Sequence, residues 1–354
     1  MLLGVFVTSI CINLLKPVAL HIGLVDTPGG RKRHTDPVPL IGGIAIFMGF
    51  CFALLCLNIS LRNFRGLLAG SCVLLLIGIL DDFHELTPRI RLLGQCVATL
   101  LLMELGHLSV MHLGNLFFLG DVNLGWFSFP FTTFFVLGFI NAINMIDGND
   151  GLAGVIVLGQ ALFFIYFGVL FHQIDTIYVL LLLSGSLCVF LRYNLMFSNQ
   201  KRASVFLGDA GSTFLGFVIA WFAVSLSQVM STTHLPYAAT FNPLTLMWVL
   251  AYPLFDLLTV IAHRLRAGKS PFSAGRDHFH HLLLDGGFSR VSITFALFAL
   301  SVGLGVTGVA LADLQVPESC QLVAFFGLFL AYFVASIRLL VYCTRGRSEV
   351  ALTH

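Results

Sequence analysis

Apolar runs about 17 to 25 residues long recur along this chain, and at a rise of 1.5 Å per residue each can cross a hydrocarbon core of about 30 Å. Eleven can be placed: Leu2–Leu20, Leu40–Leu61, Gly66–Leu80, Leu92–Leu113, Phe131–Ile146, Leu152–Phe171, Ile174–Leu191, Val205–Leu226, Leu244–Ile261, Val291–Leu311 and Leu322–Val341, the third and fifth being short. Lipid offers no hydrogen bonds, so segments of this kind must satisfy their own backbone as helices. The residues are 58% hydrophobic and 10% charged, where soluble domains carry about 25% charged residues. The expectation is an all-α, polytopic integral membrane protein with about 11 transmembrane helices, one domain over residues 1–354. No linker, low-complexity tract or internal repeat divides it. No charged segment precedes the first run and no small-residue cleavage pattern follows it, so a retained helix is expected there. The eight cysteines are scattered without a CxxC pair and read as small apolar fillers. A net charge of +2 gives no ground for nucleic-acid binding, and none is expected.

Charge sets the orientation. Alternating sides after each run places seventeen of the nineteen Lys and Arg residues on one face and leaves Arg62 and Arg65 on the other. Cytoplasmic loops of membrane proteins carry the basic excess, so the N-terminus is expected outside and the C-terminus in the cytoplasm. The acids sort the same way. Asp81, Asp82 and Glu85 follow the third run, Asp147 and Asp150 the fifth, and Asp209 opens the eighth, all on the basic side. The expected active face is therefore cytoplasmic.

Three acidic stretches carry chemistry. In NAINMIDGNDGL, Asn141 and Asn144 lie one helical turn apart, and Gly148 allows the chain to leave the helix between Asp147 and Asp150. Carboxylates at a helix C-terminus meet the negative end of the macrodipole, which costs each about 0.3–1 kcal/mol unless a cation or strong donors answer it. A divalent metal is one answer; a solvated turn is the other. The third run ends ILDDFHEL, where Asp81 and Asp82 can share a metal or a basic substrate group, or one of them can act as a base. A solvated helix end accounts for the same pair. In VFLGDAGST, Gly208 and Gly211 let backbone approach an anion while Asp209 offers a hard oxygen ligand for Mg²⁺; an Asp helix cap is the alternative.

The longest cytoplasmic loop, HRLRAGKSPFSAGRDHFHHLLLDGGFSR, holds Arg264, Arg266, Lys269, Arg276, His278, His280 and His281. Adjacent histidines without a cysteine suit zinc poorly, and phosphate recognition fits better. An acidic cluster with Mg²⁺ beside a basic loop is the equipment of phosphoryl or glycosyl-phosphoryl transfer. At a bilayer surface it suits one aqueous and one lipid substrate. A secondary transporter also uses acids among membrane helices, but places them near the midplane, often within inverted repeats.

With GLVDTPGGRKRH, PLIGGIA, LDDFHEL, NAINMIDGNDGLAG, VFLGDAGST and SPFSAGRDHFHHLLL, the chain resembles the polyprenyl-phosphate N-acetylhexosamine-1-phosphate transferases over nearly its whole length. The resemblance implies Mg²⁺-dependent transfer, with Mn²⁺ able to substitute, of a sugar 1-phosphate from a UDP-sugar to undecaprenyl phosphate with release of UMP. It implies a multi-pass protein of a bacterial inner membrane feeding surface-glycan assembly, and leaves monomer and homodimer both open. It makes Asp81 and Asp82 the pair beside the lipid phosphate, one of them a general base. Asn144, Asp147 and Asp150 become residues shaping the metal and nucleotide site, Asp209 a metal ligand, and HFHH the signature that contacts the donor. Glu85 stands where the family commonly has Asp, and Asn149 where it usually has an aliphatic residue. A relative that takes UDP-muramoyl-pentapeptide carries three consecutive histidines instead. HFHH therefore implies UDP-N-acetylglucosamine, with Arg264, Arg266 and Arg276 as candidates for its diphosphate.

Overall fold

The computed structural model describes residues 1–27, 37–195, 203–232, 241–271, 275 and 277–352, with side chains as far as 343 in the last helix. Arg276 and the basic run Arg31–Arg33 lie outside the described residues. Among the described residues, strand is limited to β1 (Val25–Asp26) and β2 (Val38–Pro39), an antiparallel pair, beside thirteen α-helices. In order, these are α1 Leu2–Ile22, α2 Gly42–Leu55, α3 Arg65–His84, α4 Pro88–Gly106, α5 Ser128–Ile146, α6 Leu152–Leu170, α7 Ile174–Asn194, α8 Gly208–Thr232, α9 Pro243–Val249, α10 Ala251–Arg266, α11 Phe279–Asp285, α12 Arg290–Asp313 and α13 Glu318–Leu352. The protein is an all-α polytopic membrane protein.

Each of the eleven apolar runs falls on a helix, or in one case on a bent pair. Among the described residues, eight helical segments are long and apolar enough to cross a membrane by themselves. A ninth arises if α9 and α10, which meet at 74°, count as one span. Pro253 explains the break, because it has no N–H to give to the Val249 carbonyl four residues back. The two ends of the pair lie at opposite ends of the bundle. Asn242, which caps α9, hydrogen-bonds Glu318, next to Ser319, whose hydroxyl donates to the Asn115 carbonyl at 2.9 Å; α10 instead leads to the histidine loop. The other two runs fall on α2, only 14 residues long, and on α4, which carries Arg89, Arg91 and Glu104.

Several boundaries differ from expectation. Helix α3 runs on to His84, so Asp81 and Asp82 lie in its last turns and not beyond it. Helix α4 starts early, because Thr87–Pro88 supplies the N1 proline that suits a helix start, and ends early where His107 turns left-handed (φ 52°). In the central stretch α5 ends at Ile146, and the left-handed residue that redirects the chain is Gly151 (φ 72°), not Gly148.

Helix α8 is the axis of the bundle. Its apolar window is 83% buried, as a helix apolar all round requires. Phe214, Phe217, Trp221 and Phe222 fill its surroundings, while small residues bring its neighbours close. A Cβ at Gly78 of α3 would meet the Ala210 backbone, and one at Gly43 of α2 would meet the backbone of Gly211. Such contacts fix the height of α8 against the ends of α2 and α3, and so place Asp209.

Candidate active site

Helices α3 and α5 converge on the start of α8. Asp82, in the last turn of α3, accepts the Asp209 N–H at Oδ1 (2.8 Å) and the Ala210 N–H at Oδ2 (3.3 Å). These amides are orphan donors of a helix start, and the dipole there favours an anion. Asp82 therefore caps α8 from another helix, a role the linear motif does not reveal. Gly208, at φ 75°, makes room for it: a Cβ there would stand 2.6 Å from Asp82 Oδ2. Asn144, near the end of α5, donates to Asp209 Oδ1 (2.6 Å) and to Ser212 Oγ (2.8 Å). Thr213 closes the turn by donating to the Asp209 carbonyl at 2.7 Å.

Asp147 caps the C-terminus of α5 and faces the carboxylates of Asp209, Asp82 and Asp150. Burial, and then repulsion by Asp209, Asp82 and Asp150 in that order, hold its carboxyl well above the usual range. Among the described residues no cationic side chain pairs with Asp147. Asp81 meets the Asp209 side chain as well, and is also held by its own loop and by α4. Its Oδ1 accepts the Leu86 N–H at 2.6 Å, and Oδ2 lies 3.2 Å from Arg91 Nε, off the line of a hydrogen bond. Asp150 lies 3.7 Å from Arg290 NH1 at the rim. Glu85 is exposed in a left-handed conformation (φ 46°).

The donor atoms suit a hard divalent cation, since they are carboxylate oxygens under mutual repulsion with one carboxylate unanswered. Among the described residues no three His, Cys, Asp or Glu side chains already surround one point. A hard cation held by one or two carboxylates would complete its shell with water and substrate phosphates.

The histidine loop reaches the same end of the bundle. A Cβ at Gly148 would meet the rings of His280 and His281, so HFHH sits on the Asp147–Asp150 turn. The His278–His280 centroids are 5.7 Å apart and those of His280 and His281 4.1 Å. His280 is buried with neither ring nitrogen hydrogen-bonded, and burial, followed by the neighbouring His281, pushes its pKa well below the ordinary value. His278 is anchored by its Nδ1 to Asp256 Oδ2 at 2.8 Å.

The expected basic residues divide. Arg264 is buried and committed internally: Nε and NH2 bind the two Asp277 oxygens at 2.9 and 2.8 Å, and NH1 donates to the Pro271 carbonyl at 2.7 Å. Burial raises the Asp277 carboxyl, but the Arg264 hydrogen bonds and charge outweigh it and hold it below the ordinary range. Arg266 is exposed, its guanidinium carbon 4.9 Å from the Phe333 ring centre.

Sequence reasoning passed over Asn194 and Asp256 and named Asn149 without a role. Asn194 accepts the Gly151 N–H at 2.5 Å and donates to the Val205 carbonyl at 2.8 Å, joining the central turn to the segment before Asp209. Nothing marks this single Asn at the end of an apolar run. Asn149, buried, donates to the Arg290 carbonyl (2.9 Å) and to Thr294 Oγ1 (2.7 Å), tying the turn to α12 where an aliphatic side chain could not. Asp256 did carry a signal, as a lone acid within AYPLFDLLTV.

The glycosyl transferase family 4 model matches residues 64–227, which include Asp81, Asp82, Asn144, Asp147, Asp150 and Asp209. Proteins named undecaprenyl-phosphate alpha-N-acetylglucosaminyl 1-phosphate transferase are similar across nearly the whole chain. That of Yersinia pestis is 36% identical over 90% of this chain and 85% of its own length. That of Escherichia coli K12 is 34% identical over 99% and 92%, and that of Haemophilus influenzae 36% identical over 93% and 90%. Identity of this degree over nearly full length, with the acid pocket inside the matched region, makes the chain a transferase that belongs to glycosyl transferase family 4, among the undecaprenyl-phosphate α-N-acetylglucosaminyl 1-phosphate transferases.

Proposed function

We propose that this protein transfers N-acetylglucosamine 1-phosphate from UDP-N-acetylglucosamine to undecaprenyl phosphate, giving undecaprenyl-diphospho-N-acetylglucosamine and UMP. The observation that carries this reading is the full-length similarity to relatives so named. The pocket supports it, placing Asp82, Asp147, Asp209 and the histidine loop at one end of the helix bundle. The reaction joins a lipid phosphate oxygen to the sugar-bearing phosphorus and breaks that phosphorus's bond to the oxygen leaving with UMP. Asp147 and Asp209, with Asp82 behind them, would hold Mg²⁺, for which Mn²⁺ can substitute. The chemistry this ion supplies when bound is neutralisation of the diphosphate charge. Asn144 orients Asp209. Asp81 Oδ2, which takes no hydrogen bond, is the acceptor for a proton from the lipid phosphate. His278, His280 and His281 contact the donor. Arg264 already holds the loop closed on Asp277, which among the described arginines of the loop leaves Arg266 for the donor diphosphate; Arg276 keeps the role the resemblance gives it.

Thin-layer analysis of lipid products tests this, with purified protein, undecaprenyl phosphate, Mg²⁺ and radiolabelled UDP-sugars. Label from UDP-N-acetylglucosamine should enter the lipid as UMP is released. Lipid product only from UDP-muramoyl-pentapeptide or another UDP-N-acetylhexosamine would overturn the donor, and none from any sugar would overturn the reaction.

The proposed membrane is the bacterial inner membrane, with the pocket on its cytoplasmic face, as the seventeen-to-two basic split argues. In a background where the eight native cysteines are replaced, Gly120→Cys should react with an impermeant maleimide in intact cells. Ser270→Cys should stay unlabelled until the cells are opened. The reverse pattern would invert the orientation.

A further inference from the structure

Asp256 lies in α10, 1% exposed, next to buried Phe255 and close to Tyr252 and Tyr332. A carboxylate buried in such surroundings persists only when fully hydrogen-bonded. It has three donors from two parts of the chain. Oδ2 accepts from His278 Nδ1 at 2.8 Å, while Oδ1 accepts the Phe279 N–H at 2.9 Å and the Tyr332 hydroxyl at 3.0 Å. The first two come from the start of the HFHH segment and the third from α13. His278 is itself 6% exposed, and its ring stacks toward His280, which rests on Gly148 in the acidic turn.

We propose that Asp256 is a positioning residue for sugar-nucleotide recognition, fixing the tautomer and direction of His278 so that Nε2 is presented as a hydrogen-bond acceptor to a hydroxyl or N–H of the sugar nucleotide. This rests on the reading above that His278 contacts the donor. An ionised carboxylate only accepts, so the ring nitrogen facing Asp256 must bear the hydrogen. The bond to Nδ1 thereby decides the state of Nε2, the one nitrogen left to act. Tyr332 holds the second oxygen, so the carboxylate cannot rotate away, and α13 becomes part of the donor-binding apparatus although it lies outside the region matched by the family model.

Asparagine at 256 keeps the size but can turn an NH₂ toward Nδ1 and reverse the tautomer. In purified Asp256→Asn, kcat/KM for UDP-N-acetylglucosamine should fall about 100-fold, as losing the orienting partner of a working histidine does. KM for undecaprenyl phosphate should remain within about twofold and Tm in detergent within about 3 °C. In a His278→Ala background the same change should cost less than about twofold more, because a residue that acts through another adds nothing once that other is gone. Tyr332→Phe, which keeps the carboxylate on His278, should lose less than about tenfold.

A readout independent of turnover is ¹⁵N NMR of histidine-labelled protein, with the His278 signal identified by its disappearance in His278→Ala. It should report Nδ1 protonated in the native protein and Nε2 protonated in Asp256→Asn. Should Asp256→Asn fail to fold, Asp256→Glu, which keeps an accepting carboxylate but displaces it, should leave Nδ1 protonated while lowering kcat/KM for UDP-N-acetylglucosamine at unchanged KM for undecaprenyl phosphate. An unchanged tautomer in Asp256→Asn, or fully additive losses shared equally between both substrates, would overturn the proposal. If the native protein gave no product from UDP-N-acetylglucosamine, the functional reading would fall, and the tautomer would still decide whether Asp256 sets His278.

Discussion

Asp209→Asn should lower turnover by about 10²–10³-fold, the loss typical when a group stabilising transition-state charge is removed, while leaving the protein at least as stable as before. The two effects separate because of what Asp209 touches. Its backbone N–H binds Asp82 and its Oδ1 accepts from Asn144, and asparagine keeps both the N–H and a carbonyl oxygen. Asparagine removes the charge, which is repelled by Asp82 and Asp147 in the same pocket. The folded state thus loses an unfavourable term, whereas cation binding loses a ligand charge. Initial rates across a Mg²⁺ titration, with Tm in detergent measured alongside, check both halves. The variant should recover part of its rate at high Mg²⁺. Full activity at limiting Mg²⁺ would show that Asp209 is not a ligand.

That opposition between charge and fold explains which parts of the site were legible in the sequence. Paired acids ending apolar runs are costly wherever they lie, so LDDFHEL, MIDGNDG and VFLGD stood out before any contact was known. The chain's helical nature was equally plain, because lipid removes the alternatives. What stayed hidden depends on which segment meets which. Nothing in LDDFHEL says that Asp82 caps α8, since an Asp is an ordinary cap for its own helix and Asp209 was the nearer candidate. Nothing in HRLRAG says that Arg264 closes on Asp277 thirteen residues later. Its exposed neighbour Arg266 looks the same on paper. Local rules placed the end of α5 at Ile146 but not the left-handed residue beyond it: Gly148 and Gly151 both follow the helix, and it is Gly151 whose N–H binds Asn194, while His280 packs on Gly148.

Gly43→Ala tests the remaining hidden part, the docking of PLIGGIA against VFLGD. The stretch before α8 lies alongside the entry to α2. The Phe206 N–H donates to the Pro39 carbonyl, and the Gly42 and Gly43 N–H groups donate to the Phe206 and Leu207 carbonyls, each at 2.9 Å. The first amides of α2, which have no partner within their own helix, are satisfied in this way. The same bonds fix where Gly208 and Asp209 begin. Beyond them α2 and α8 cross backbone to backbone, and a methyl group at position 43 would intrude on Gly211 Cα and N, which cannot yield as a flexible side chain would. Overpacking of this kind costs about 1–3 kcal/mol. The functional cost should be larger than that figure suggests. Relief of the clash moves the start of α8 against α3, separating Asp209 from Asp82, and a misplacement of about 1 Å in a catalytic constellation costs about 100-fold in rate. The expected result is a drop of several degrees in Tm with a loss of turnover near 100-fold, at unchanged membrane insertion. Gly303→Ala, at a helical glycine with open space around its Cβ position, should change neither. Equal small losses at both glycines would mean that the α2–α8 crossing does not set the position of Asp209.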